Sequence, residues 1–261
     1  MPVILETEVR QATQIEFGEV AYAVMRHVFD IHRDFGRFFD ERIYKQELAQ
    51  RMTGVELEVP IEVRFDVFRK LYFLDVLVAN CAAFEFKSVE ALNGRHRAQL
   101  CNYLLLCDLC HGKLINVRPE EVEHEFVNTQ LALHERTSFS VDSAHYVESS
   151  GQQVRQWFTD LVCDLGTGLS LSLYEDALTQ FLGGEERVIA DVPVVSRGVT
   201  LGTQRFRLIA PGVAFKVTAL EGQTGAFKGH AMRLLTHAAL DAIQWINVSR
   251  DQVTFRTLRR I

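Results

Sequence analysis

The sequence predicts an α/β protein that consists of two consecutive copies of one domain. Helical apolar stripes and short alternating apolar runs follow one another in the order helix, three strands, helix, strand. The same order then returns, with matching residues, about 130 positions later. A copy of that length can bury a core of its own, so each is expected to be a separate domain.

The chain opens with two helices. Apolar residues at helical spacing over 17–31 predict the first, and Asp34-Phe35-Gly36 interrupts this pattern. The second helix is predicted over residues 39–52. Glu41 and Tyr44 lie three positions apart on it, so they share one face.

Three strands, a helix and a further strand follow. Alternating β-branched residues over 55–67 predict the first strand, and the apolar runs 71–79 and 81–88 predict two strands joined by a tight turn. The next helix is predicted over 93–110 and a short strand over 114–117. Residues 121–144 are polar, and no regular element is predicted there.

The second half of the chain repeats residues as well as pattern. Three segments recur at a displacement of 130 or 131: Asp34-Phe35-Gly36 as Asp164-Leu165-Gly166, Tyr44 as Tyr174, and Ile115-Asn116-Val117 as Ile246-Asn247-Val248. We therefore predict domains over residues 1–135 and 145–261, with the joint close to Ser149-Ser150-Gly151.

Composition limits the classes of protein that fit. A net charge of −6, with the acidic excess entirely in residues 1–130, counts against a protein that coats nucleic acid non-specifically. No apolar run reaches the length of about eighteen residues that a membrane span needs. Five cysteines and no secretory start predict reduced thiols and a cytoplasmic protein that does not enter the membrane.

Three charged residues interrupt the apolar hairpin. Asp75 lies in its first strand, and Glu85 and Lys87 lie on one face of the second. Such groups are costly to bury unless they act together. Carboxylate oxygens suit Mg²⁺, and a lysine beside them can hold one of its waters. The alternative is a buried Glu–Lys pair of purely structural use.

The second copy has lost this cluster. At a displacement of 131, four positions change: Asp75 becomes Phe206, Glu85 becomes Lys216, Lys87 becomes Thr218 and Gln99 becomes His230. Because the fold pattern survives these changes, the charged cluster is not required for folding. The second copy is therefore predicted to be without a metal site.

The predicted helix from residue 93 carries a possible phosphate-binding face. Arg95, Gln99 and Tyr103 step by four along it, and His96 and Arg97 join Arg95 in its first turn. Free N–H groups at a helix N-terminus favour an anion such as phosphate. The alternative is a solvated basic turn without a ligand.

These residues together resemble a known family. The run Phe35-Gly36-Arg37-Phe38-Phe39-Asp40-Glu41-Arg42-Ile43-Tyr44 is similar to the signature of the GxxExxY proteins, a branch of the PD-(D/E)XK nuclease superfamily. The segment around Asp75, the run Phe84-Glu85-Phe86-Lys87, and the run His96-Arg97-Ala98-Gln99-Leu100 with Tyr103 resemble its later motifs. The sequence departs from the signature at Phe38, where the family has glycine; the second copy keeps Gly168 there but has Leu171 in place of the glutamate.

The resemblance implies two tandem restriction-endonuclease-like domains, each with a mixed central sheet flanked by helices, packed as an intramolecular pseudo-dimer. It implies a nuclease that uses Mg²⁺ or Mn²⁺ and has nucleic acid, DNA in the first place, as its partner. Asp75, Glu85 and the carbonyl of Phe86 would hold the metal, and Lys87 would position or activate water. Glu41 and Gln99 would complete the catalytic set.

Two other classes stay open. The first copy could be an idle nuclease-fold module that serves as a nucleic-acid-binding or protein-binding scaffold, which the acidic net charge favours. The segment Cys107-Asp108-Leu109-Cys110-His111 has the spacing of haem attachment, and four cysteines could in principle bind zinc or an iron–sulfur cluster. No export signal accompanies the haem pattern, and Cys101 and Cys107 lack ligand-pair spacing.

Overall fold

The computed structural model describes residues 2–149, 153–222 and 224–260. The chain forms two compact units: unit 1 ends at Leu133, and unit 2 begins at His134 and also includes the segment Phe65–Phe68. Each unit contains a six-stranded mixed sheet flanked by helices, which confirms the predicted fold class. Of the predicted joint, Ser150 and Gly151 lie outside the described residues.

Unit 1 is built from six strands and three helices. Its elements are β1 (Val3–Leu5), α1 (Gln14–Phe35), α2 (Glu41–Arg51), β2 (Val55–Phe65), β3 (Phe68–Val78), β4 (Ala82–Lys87), α3 (Gly94–Cys107), β5 (His111–Asn116) and β6 (Glu123–Asn128). The sheet has the order β1-β2-β3-β4-β5-β6. The pairs β3–β4 and β5–β6 are antiparallel, whereas β4 and β5 are parallel because α3 crosses over between them.

The core of unit 1 lies between the sheet and α1. Thr13 caps the start of α1 by accepting a hydrogen bond from the N–H of Glu16, and the helix buries one continuous face. The buried side chains of that face are Phe17, Ala21, Val24, Met25, Val28 and Ile31. They pack against strand residues such as Val76 and Phe84, which fixes β3 and β4 at the centre of the sheet.

Unit 2 follows the same plan. Its elements are α4 (Leu133–Arg136), β7 (Ser140–His145), α5 (Val154–Leu165), α6 (Leu171–Phe181), α7 (Glu185–Val188), β8 (Ile189–Ser196), β9 (Val199–Ala210), β10 (Val213–Thr218), α8 (Thr224–His237), β11 (Ala242–Val248) and β12 (Gln252–Arg259). The sheet order is β7-β12-β11-β10-β9-β8. Strands β8 to β12 therefore repeat the order of β2 to β6, again with the third and fourth of the five strands parallel. The sixth strand is added at opposite ends of this series: β1 lies beside β2, and β7 lies beside β12.

The tyrosine of the signature has the same structural partner in both units. Gly36 and Gly166 end α1 and α5 with φ angles of 72° and 79°, a conformation that glycine adopts without strain. The hydroxyls of Tyr44 and Tyr174 donate to the carbonyls of these glycines, each at 2.6 Å. In each unit this bond joins the first two long helices.

An asparagine at the end of a central strand is repeated in the same way. Asn116 accepts from the N–H of Val89 and donates to the carbonyl of the same residue, at 3.1 and 2.8 Å. Asn247 makes the same two bonds with Leu220, at 2.8 and 3.1 Å. Both side chains are buried, and each holds the segment that leads from the third strand of the series to the crossover helix.

The prediction that residues 121–144 contain no regular element is wrong. They include β6, α4 and β7. Arg136 is buried in unit 2, and its guanidinium donates to the carbonyls of Thr167 and Leu165 at 2.9 and 2.6 Å. The pairing partner of β7 is more than 100 residues away, so local pattern alone does not reveal it. None of the helices in the described ranges combines the length and apolarity that crossing a membrane demands.

Candidate active site

Asp75 and Glu85 lie on neighbouring strands at the point where the strands separate. The antiparallel ladder between β3 and β4 runs from Val78 paired with Ala82 to Val76 paired with Phe84. Beyond it, Oδ2 of Asp75 accepts a hydrogen bond from the N–H of Phe86 at 2.9 Å. The carboxylate thus satisfies a backbone donor of β4 and is held in a fixed position beside Glu85.

Glu85 is the most deeply buried carboxylate of this cluster, with 1% of its surface exposed. Its Oε1 accepts from the ammonium of Lys87 at 2.7 Å. Its Oε2 is buried and has no hydrogen-bond partner among the described residues. Burial, and then the negative charge of Asp75, raise the pKa of Glu85 to about 7. Glu85 therefore takes up a proton near neutral pH unless a further positive charge stabilises its ionised form.

Lys45 is a member of the cluster that the sequence analysis missed. It is 4% exposed, and its ammonium donates to Oδ1 of Asp75 at 2.8 Å and to the carboxylate of Glu58. Burial acts to lower the pKa of Lys45, but its ion pairs with Asp75 and Glu58 outweigh this effect and raise it. Lys45 therefore stays cationic and compensates Asp75.

One signal could have revealed Lys45. It lies four residues after Glu41 on α2, so the two side chains share a helix face. No sequence pattern indicated that Glu58 belongs to the cluster, because it is one of several charged residues within the alternating strand β2. Its backbone has a φ of +51°, which is uncommon for a residue other than glycine and is a form of strain found near functional sites.

Four of the predicted residues, Lys87 among them, contact the acids of the cluster or lie close to them. Burial, followed by the charge of Asp75, raises the pKa of Glu41, which places its carboxylate near the other acids. Burial acts to lower the pKa of Lys87, but the paired Glu85 prevails and raises it, so Lys87 remains an ammonium. Gln99 donates to the hydroxyl of Tyr103 at 3.0 Å. Burial raises the pKa of Tyr103, and the charge of Glu85 contributes to this rise.

The basic first turn of α3 is engaged elsewhere. The ring of His96 accepts a hydrogen bond from the N–H of Asn93, while the side chain of Asn93 accepts from the N–H of Arg95. This is a reciprocal capping arrangement at the start of the helix. Arg97 makes two bonds to Glu125 on β6, at 3.0 and 2.8 Å. Within the described residues, no hydrogen bond or ion pair joins Arg95, His96 or Arg97 to the carboxylates of Asp75 and Glu85.

The donor chemistry of the cluster fits a hard divalent cation. Asp75 and Glu85 supply carboxylate oxygens, and the buried Oε2 of Glu85 is left for a cation to pair with. The fit requires a rearrangement, however, because Lys45 and the N–H of Phe86 engage both oxygens of Asp75. In the ranges that the structure describes, no three His, Cys, Asp or Glu side chains are already placed to hold a metal ion together.

Cys107, in the segment with haem-attachment spacing, is a buried thiol. Cys107 lies at the end of α3, and burial raises its pKa to about 12, so it is protonated at neutral pH. The ring of His111, in strand β5, is within hydrogen-bond distance of the side chain of Asn128, at 2.8 Å. Neither feature favours a metal ligand at this position.

The corresponding place in unit 2 has the opposite arrangement of charge. Glu175 on α6 corresponds to Lys45 and accepts from Lys216 on β10 at 2.7 Å and from Arg207 on β9 at 3.0 Å. Phe206 and Lys216 stand where unit 1 has Asp75 and Glu85. The acids that could hold a metal are absent from these strand positions, and cations replace them.

Comparisons with known proteins give a family match within unit 1 and a similarity to solved structures. A family model described as the PD-(D/E)XK nuclease superfamily matches residues 18–128, a range that contains every predicted site residue. No curated protein matches the chain. Among solved structures, the chain is similar to a protein described as SSO0001, with 21% identity and a TM-score of 0.29. That match covers 49% of this chain and 71% of the other.

Proposed function

We propose that unit 1 is a nuclease domain that hydrolyses phosphodiester bonds in nucleic acid, with Asp75 and Glu85 as ligands of Mg²⁺ or Mn²⁺. The finer assignment is to the GxxExxY branch, with residues 1–135 as the nuclease domain and 145–261 as a non-catalytic second copy. The observation that carries the proposal is Oε2 of Glu85, a buried carboxyl oxygen without a hydrogen-bond partner among the described residues. The superfamily match over residues 18–128 supports it.

Each residue has a defined part in this proposal. Asp75, Glu85 and the carbonyl of Phe86 bind the ion, and Glu41 adds a nearby carboxylate. When bound, the ion polarises the phosphate and stabilises the charge that develops during hydrolysis. Because the pKa of Lys87 is raised, Lys87 orients the attacking water as a hydrogen-bond donor and does not accept a proton. Gln99 and Tyr103 support the face of α3 beside the acids.

Lys45 controls access to Asp75 in this proposal. The ammonium of Lys45 donates to Oδ1 of Asp75 at 2.8 Å. A bound ion would compete with this contact, and Glu58 would then retain Lys45, because the two form an ion pair. The exchange would replace one positive charge beside Asp75 by two.

A second candidate function rests on the same contact. If Lys45 does not release Asp75, it neutralises the cluster permanently, and unit 1 is an idle nuclease-fold module that binds nucleic acid or protein without cutting. The absence of a preformed three-ligand group in the described residues favours this candidate.

Calorimetric titration of Mg²⁺ and Mn²⁺ separates the two. Wild type, Glu85→Gln and Glu175→Gln are titrated, and each is then incubated with single- and double-stranded DNA and RNA. Glu175→Gln is the matched control, because it makes the same substitution in the charged cluster of unit 2. The proposal expects metal binding and cleavage that Glu85→Gln abolishes and Glu175→Gln retains. No binding at about 1 mM, a limit of about −4 kcal/mol, would favour the idle module.

A further inference from the structure

The place in unit 2 that corresponds to the acidic cluster is an open pocket. It has a volume of about 510 Å³, within the usual range for small-molecule sites, and lies beside β9, β10, α6 and α8. Its apolar lining includes Phe206, Phe227 and Leu234. Three cationic residues, Arg205, Arg207 and Lys216, share the lining with one carboxylate, that of Glu175.

Two cations of this pocket, Lys216 and Arg207, have hydrogen-bond donors without a partner among the described residues. Lys216 is 54% exposed and uses one of its three donors on Glu175. Arg207 binds Glu175 and Asp176 through its two terminal nitrogens, at 3.0 and 2.8 Å. Its Nε is buried and has no partner within the part of the chain that the structure describes. Glu175 thus holds two cations in place without saturating them.

The apolar side of the pocket is suited to a flat ring. Phe206 and Phe227 are half-buried, so each keeps part of its surface available to a ligand. Phe227 is supported from behind by Trp245, whose ring centroid is 4.5 Å away. Aromatic side chains bind rings through stacked or edge contacts, in addition to the gain from apolar burial.

We propose that this pocket binds a nucleotide, with the base against Phe206 and Phe227 and the phosphate at Lys216, Arg207 and Arg205. A nucleotide contacts both kinds of residue in the lining. A purely apolar ligand would leave the cations without a partner, and an inorganic anion would leave the aromatic surface without one. The inference is independent of the proposed nuclease activity, because it requires no metal and no cleavage. The nucleotide can be free or part of a single strand, since both present the same groups.

Titration of AMP into the 261-residue protein in the presence of EDTA tests the proposal, with calorimetry and tryptophan fluorescence, to which Trp157 and Trp245 both contribute, as readouts. Adenosine lacks the charge-assisted hydrogen bonds and inorganic phosphate lacks the ring contacts, so each should bind at least about tenfold more weakly than AMP. Lys216→Ala should weaken AMP by a similar factor and leave adenosine unchanged. Phe227→Ala should weaken both. Lys228→Ala is the control, because Lys228 is exposed on the same helix and does not line the pocket.

Two further results decide the source of the ligand and the fate of the proposal. Tighter binding of a short oligo-dA than of dAMP, with the same sensitivity to Lys216→Ala, would identify a nucleotide within a strand; equal binding would identify a free nucleotide. The proposal is overturned if neither a mononucleotide (AMP or dAMP) nor the oligo-dA binds at about 1 mM. It is also overturned if Lys216→Ala and Phe227→Ala leave the affinity for AMP unchanged. Because EDTA removes divalent metal and both variants lie in unit 2, neither outcome bears on cleavage by unit 1.

Discussion

The two units share one arrangement of helices and strands, called the frame below, and carry opposite charges at the same place in it. In unit 1 the helix supplies a cation, Lys45, and the strands supply the acids Asp75 and Glu85. In unit 2 the helix supplies an acid, Glu175, and the strands supply Arg207 and Lys216. The tyrosine–glycine and asparagine bonds that organise the helices and the central strands are the same in both. The frame therefore does not depend on which charges occupy the site.

The two clusters also differ in their access to water. The side chains of Asp75 and Glu85 are nearly inaccessible, whereas Lys216 is half exposed. Charges interact strongly and shift one another's pKa when they are desolvated, and much less when water surrounds them. This difference in burial is consistent with the two proposals made above, chemistry at a desolvated cluster in unit 1 and reversible binding of a charged ligand in unit 2.

The largest expected effect is on cleavage. Asp75→Asn should lower the rate of metal-dependent cleavage by at least about 100-fold, because it removes a charged ligand worth several kcal/mol. Circular dichroism should show an unchanged fold, since unit 2 forms the same sheet with Phe206 at this position. Lys216→Ala is the counterpart in unit 2 and should change kcat by no more than about twofold. Equal losses in both variants would mean that the chemistry is shared between the units.

Removing the cation from each cluster tests the difference in burial. Lys45→Met leaves Asp75 buried without its ion-pair partner and should cost about 3 kcal/mol of unfolding free energy in metal-free protein. Lys216→Met breaks an exposed pair and should cost less than about 1 kcal/mol. Denaturation followed by far-ultraviolet circular dichroism measures both. If the nuclease proposal is right, Mg²⁺ should restore most of the loss in Lys45→Met and none in Lys216→Met.

The pH dependence follows from Glu85. Its pKa in the folded protein is about 7, against an ordinary value near 4.5, so the folded state holds this proton more tightly than the unfolded state. Metal-free unit 1 should therefore lose stability as pH rises between these values. A metal ion binds the ionised form, so the rise in Tm on adding Mg²⁺ should be larger at pH 8 than at pH 6. Between pH 6 and pH 8 the ionised fraction of Glu85, and with it the affinity for Mg²⁺, should rise about tenfold. Glu85→Gln should remove this pH dependence.

The smallest expected effect is on stability, when the tyrosine–glycine hydrogen bond that both units contain is removed. Tyr44→Phe and Tyr174→Phe each remove the hydrogen bond to a glycine carbonyl, together with the bond that the hydroxyl accepts from the backbone of Phe39 or Leu169. Each should cost about 1 kcal/mol. Similar costs in chemical denaturation would support one structural device used twice. A cost confined to one unit would show that the equal bond lengths hide different energetics.

Much of the fold and part of the cluster could be predicted from the sequence. Alternation along β4 placed Glu85 and Lys87 on one face, and the hairpin brought Asp75 beside them. Lys45 could not be found this way, because a lysine on a polar helix is ordinarily solvated, and its burial depends on an aspartate 30 positions away. Arg97 was predicted to face phosphate, but its partner Glu125 lies on β6, in a segment where no strand was expected.

The short span of the tyrosine–glycine bond has a consequence for the order of folding. Tyr44 meets Gly36 across eight positions, whereas Lys45 meets Asp75 across thirty. Contacts between nearby residues close smaller loops and tend to form earlier. Stopped-flow measurements should then find that Tyr44→Phe slows folding while Lys45→Met mainly speeds unfolding. If the charged side chains make their contacts only after the rate-limiting step, substitutions among them leave the folding pathway of each unit unchanged.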